Sequence, residues 1–132
     1  MKRHTIAPFH HPLHVAVGDE WPALMRRLGL ASTGAMDDDP RDRNDARTYY
    51  NPDVTPPRYG IWLHGLSTHD DISVPMIAGT IAHECVHVVD FLWERIGEGS
   101  TDEMHAYYVG HLTELVMADV LDYRHAQQET HE

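Results

Sequence analysis

The chain has 132 residues, 42% of them apolar, which is enough for one ordinary core and one domain. Ten Lys and Arg against 21 Asp and Glu give a net charge of −11, which argues against nucleic-acid phosphates and anionic membranes as partners. A single cysteine, Cys85, excludes an internal disulfide, no window reaches the ~18 apolar residues of a membrane span, and the basic start lacks the apolar run of a signal peptide. A cytoplasmic protein of a bacterial or phage-infected cell is therefore expected. The twelve histidines add that the negative charge softens near pH 6.

In chain order, Leu13, Val15 and Val17 alternate with His14 and Ala16 and predict a short strand. Trp21, Leu24, Met25 and Leu28 have helical spacing, and Gly29 suits the end of that helix. Residues 31–58 are loop-rich, with a polar run from Asp37 to Asp45 that lacks the spacing and glycine of a calcium loop. A short strand over Arg47–Tyr50 interrupts them, and Pro52, Pro56 and Pro57 prevent regular structure afterwards. Tyr59–Gly65 combines aromatic and branched residues between Pro and Gly boundaries and predicts a strand.

Ser73 can cap a helix whose first turn holds Pro75. The helix is predicted over Val74–Ile96, with Ile77, Ile81, Cys85, Val88 and Leu92 as its apolar stripe. His83, His87, Asp90 and Glu94 form a polar stripe beside it. Gly97 and Gly99 close it, and a second long helix starts near Ser100 and runs to about Tyr123. The tail 124–132 is expected to fray.

The chemistry concentrates in His83-Glu84-Cys85-Val86-His87. Residues four apart on a helix share a face, so both imidazoles can offer a nitrogen to one zinc ion. Glu84 lies about 100° round the helix, too far for an easy third ligand and well placed to take a proton from a metal-bound water. Asp90 falls on the ligand face below His87, where it either orients that imidazole or is a solvated charge. Cys85 turns toward the apolar stripe as a core thiol. His64, at a strand end, either steadies a carbonyl or oxyanion or is a plain strand-end histidine. His4, His10, His11 and His14 lack acidic partners at fixed spacing and form an exposed His-rich start rather than a second metal site.

His83-Glu84-Cys85-Val86-His87 followed by Glu103-Met104-His105-Ala106-Tyr107 resembles the Glu-zincin metallopeptidases, and more narrowly the small metallopeptidase-like proteins encoded by phages and prophages. The resemblance spans roughly residues 59–117. It implies an α+β, minimal zincin-like domain over 1–132, a short twisted sheet ending in the strand Tyr59–Gly65 and packed on an active-site helix and a second long helix. It implies His83, His87 and Glu103 as ligands of one Zn2+ per chain, Glu84 as general base, and a peptide or protein substrate that adds to an edge strand.

Glu103 has a competing local role. Ser100-x-x-Glu103 fits a capping box, and in a tight antiparallel helical hairpin Glu103 faces Trp93 while His111 faces Cys85. His111 is thus the alternative ligand, and Tyr107 or His111 could hydrogen-bond a ligand from behind. Two other functions fit the same residues: a metal-stabilised binding or regulatory module without turnover, and a hydrolase of non-peptide amides. The sequence does not fix the oligomeric state.

Overall fold

The structure is a computed structural model and describes residues 1–7, 9–31, 39–41, 45–69, 71–96 and 102–130. Its elements in chain order are β1 (Lys2–Ile6), β2 (His11–Val17), α1 (Trp21–Leu28), β3 (Ala46–Asn51), β4 (Arg58–Leu63), α2 (Val74–Ile96) and α3 (Asp102–Thr130), with short 3-10 turns at Gly18–Glu20 and Gly65–Thr68. The sheet order is β1-β2-β4-β3. β2 and β4 run parallel, and the two outer pairings are antiparallel. The class is α+β, as expected.

Alternation divides the two inner strands between two cores. Leu13, Val15 and Val17 of β2 and Tyr59, Ile61 and Leu63 of β4 face α2 and α3, against Ile77, Ile81, Cys85, Val88, Leu92, Leu112 and Val116. Ala16 and Trp62 face the other way, onto Trp21, Leu24, Met25 and Leu28 of α1. Both inner strands are therefore covered on both faces. α1 comes so close to the sheet that a Cβ on Gly60 would stand 2.6 Å from Leu28 Cδ1, so glycine is required there. α1 ends where Gly29 turns left-handed at φ 76°, and the Gly29 and Leu30 amides donate to Arg26 and Met25 carbonyls.

α2 has the predicted bounds. The Ser73 hydroxyl accepts from the Met76 amide at 3.4 Å, and Pro75 occupies the first turn. Several expectations are corrected. β1 was not foreseen: the His-rich start is a strand paired along β2. The strand at Tyr59 does not close the sheet, because β3 lies outside it. Residues 31–58 contain β3, slightly longer than the strand predicted there. α3 continues to Thr130, through most of the tail predicted to fray. Gly97, Gly99, Ser100 and most of the Asp37–Asp45 run lie outside the described residues.

The histidines of the start are dispersed. His4 Nε2 meets Asp119 Oδ2 of α3 at 2.6 Å, His11 Nδ1 lies 3.1 Å from the Tyr59 hydroxyl, and His10 sits in the β1–β2 turn. His14 points to the opposite face and is 4% exposed. Burial, followed by the guanidinium groups of Arg27, Arg3 and Arg58, pushes His14 down to about 4. The unfolded chain therefore takes up a proton below its ordinary value of 6.5 that the folded chain refuses. Stability from this site is complete above that pH and falls as pH drops toward 4, by up to ~1.4 kcal/mol per pH unit. Urea denaturation between these limits should show a shallower decline in His14→Leu than in the wild type; equal slopes would remove His14 from the account.

Candidate metal centre

The apolar stripe of α2 fixes which way every other residue on the helix points. Ile81, Cys85, Val88 and Leu92 are fully buried, and His83, His87, Asp90 and Glu94 are turned outward. Within that outward stripe the imidazoles of His83 and His87 converge, with Nε2 atoms 3.2 Å apart and ring planes at 78°. Two nitrogens at about 2.0–2.1 Å from one zinc ion, separated by 3.2 Å, subtend roughly 100°, close to the tetrahedral angle. The separation of the two nitrogens is compatible with a shared zinc ion.

Glu84 departs from the outward stripe and is 6% exposed. It enters the seam between α2 and β3, where the Thr48 hydroxyl donates to its Oε2 at 2.6 Å and also lies 3.1 Å from its main-chain carbonyl. A buried carboxylate is costly without a donor, and Thr48 is that donor. The same seam opens as a cavity of about 290 Å³ lined by Ala46, Arg47, Thr48, Glu84, His87 and Phe91.

β3 presents a sheet edge to this cavity. The His64 amide donates to the Asp45 carbonyl at 2.8 Å, which makes Asp45–His64 a hydrogen-bonded pair. Antiparallel ladders alternate, so Arg47–Trp62 and Tyr49–Gly60 are of the same kind. The amides and carbonyls of Ala46, Thr48 and Tyr50 consequently point away from β4, while the Thr48 and Tyr50 side chains face α2.

The remaining candidates stand elsewhere. His105 Nε2 lies 2.9 Å from Asp90 Oδ1, so Asp90 pairs with α3. Trp93 and Tyr108 are in ring contact at 5.3 Å. These contacts set the helical hairpin close to the register expected for a tight turn, and Glu103 falls roughly two turns of α2 beyond His87. Glu103 is exposed, and this register does not bring it to the histidine pair. His111 is exposed and stacks on Tyr107 at 6.2 Å. Among the described residues, no group of three His, Cys, Asp or Glu side chains is placed to hold a metal ion.

His64 packs edge-on against Trp62 and lines a different cavity, with Gly18, Asp19 and Tyr123. Cys85 is buried, and burial pushes its thiol up to about 11, as befits a core residue. Sequence reasoning missed Thr48 and Phe91. The alternation of Ala46, Thr48 and Tyr50 marks one strand face, but nothing local says that this face meets Glu84.

No family model, no curated protein and no solved structure matches the chain. Among the described residues, no helix is long and apolar enough to cross a membrane.

Thr48→Val removes the hydroxyl donor and keeps the shape. It should cost about 1–3 kcal/mol in urea denaturation, with Thr48→Ser retaining most of the stability. A neutral Thr48→Val would mean that Glu84 does not depend on this bond.

Proposed function

We propose that the chain is a zinc-dependent hydrolase of minimal zincin form that cleaves peptide bonds. The observation that carries this reading is the convergence of His83 and His87 Nε2 beside a buried, hydrogen-bonded Glu84. His83 and His87 hold the ion. Zinc, when bound, supplies Lewis acidity toward a carbonyl and makes water a stronger acid.

The chain's own residues supply the rest. Thr48 holds Oε2 of Glu84, which leaves Oε1 to move the proton. Oε1 accepts the proton of the attacking water and returns it to the nitrogen of the departing amine. The outward amides and carbonyls of Ala46, Thr48 and Tyr50 are placed to receive an extended peptide as an added strand.

The second reading is a metal-stabilised binding module without turnover. It is favoured by one observation: the cavity beside the pair, about 290 Å³, is at the lower limit of ligand pockets.

Metal analysis and peptide hydrolysis separate the two. Purified protein should bind about one zinc per chain, and His83→Ala and His87→Ala should each abolish stoichiometric binding. Glu103→Ala should leave zinc affinity within about threefold, because in this register Glu103 falls roughly two turns of α2 from the pair. Glu84→Gln should retain zinc and fold and lose hydrolysis. Zinc retained in both histidine variants would overturn the metal site. Zinc lost in Glu84→Gln would overturn the general-base role. Bound zinc with no hydrolysis of any peptide would leave the module.

A further inference from the structure

Phe91 is one turn beyond His87 on α2, and no role has yet been assigned to it. Its ring stacks on Tyr50 at 4.8 Å and 18°. Tyr50 stacks on Tyr59 at 5.1 Å, and Tyr59 stacks on His11 at 5.8 Å. Four rings from α2, β3, β4 and β2 thus form one continuous pile. Tyr59 in its middle is fully buried and bonded to His11. A ring fixed by such a stack is a preorganised wall rather than an adaptable side chain.

Phe91 is half-buried and lines the cavity that also holds Glu84 and His87. The opposite end is lined by Ala46, whose small side chain leaves the space open. A strand added to β3 pairs through the outward backbone groups of Thr48. The residue opposite Thr48 shares its sheet face and therefore directs its side chain toward α2. It enters the space between Phe91 and Ala46.

We infer that Phe91 is the specificity-determining residue of this site and selects peptides with a bulky apolar side chain at the position that pairs with Thr48. This rests on the reading of the β3 edge as a peptide-binding strand. A Leu or Phe side chain there loses its contact with water against an aromatic face already held in place, whereas Ala leaves the space unfilled. Lys or Glu has less apolar surface to bury against the ring than Leu or Phe.

The test is calorimetric titration of Glu84→Gln with blocked hexapeptides, acetyl-Gly-Ala-X-Ala-Gly-Ser-amide, in which X is Ala, Leu, Phe, Lys or Glu. Each titration is run with and without zinc, and zinc binding is measured on the same samples. The Leu and Phe peptides should bind about tenfold more tightly than the Ala peptide. Adding Phe91→Ala should compress that ratio to about threefold or less, and Phe91→Leu should restore most of it, which also controls for folding. Hydrogen exchange of the Thr48 and Tyr50 amides should slow when the Leu peptide binds. Equal affinity for all five peptides, binding of none, or a preference unchanged by Phe91→Ala would overturn the inference. Zinc binding with no peptide preference would overturn the role of Phe91 alone. Peptide preference without zinc binding would overturn the metal reading and leave Phe91 in place.

Discussion

The rotational phase of α2 is the constraint on which the site depends. One side of the helix is committed to the core through Ile77, Ile81, Cys85, Val88 and Leu92. The neighbouring side carries Glu84 into the seam with β3, where Thr48 supplies the hydrogen bond that makes a buried carboxylate tolerable. With those two directions fixed, His83 and His87 have one place to go, the solvent-facing flank nearest the sheet edge. A turn of the helix by one residue, about 100°, would bury an imidazole and expose the carboxylate. The histidine pair and Glu84 therefore come as a unit.

A second constraint comes from the sheet. β2 and β4 run parallel and each has a hydrogen-bonded strand on both sides, so neither can offer an edge. Their crossover carries the chain through α1 and returns it by way of β3, which pairs antiparallel outside β4. That places β3 beside α2 and its converging His83 and His87 side chains. The stack of Phe91, Tyr50, Tyr59 and His11 then ties the helix to the edge strand across the sheet. Stability and recognition use the same rings: the interior members fill the core, and the last one faces the cavity.

What the sequence makes legible follows from what is local. The bounds of α2 are encoded by Ser73, Pro75 and the apolar spacing, and the histidine pair follows from helical geometry alone. The strands β2 and β4 announce themselves through alternation and branched side chains. β1 does not, because Lys2, Arg3, His4 and Thr5 are polar. Its place is set by pairing with β2 and by the contact of His4 with Asp119, 115 positions away. The order of β3 and β4 is likewise a matter of tertiary pairing. Glu103 shows the limit of motif spacing: whether it reaches the histidine pair depends on the register of two helices, which the contacts of Asp90 with His105 and Trp93 with Tyr108 set and no local motif encodes. Thr48 and Phe91 carry no motif and acquire meaning only once α2 lies against β3.

In the proposed site His83 and His87 share one zinc ion, with Glu84 beside it and outside the coordination sphere. Its most direct test is an anomalous difference map, collected at the zinc edge from crystals of the zinc-loaded protein. The account predicts a single strong peak per chain, about 2.0–2.1 Å from both Nε2 atoms, with the Glu84 carboxylate still bonded to Thr48 and not ligating. A peak elsewhere, a peak coordinated by Glu84, or no peak at the histidine pair would contradict it.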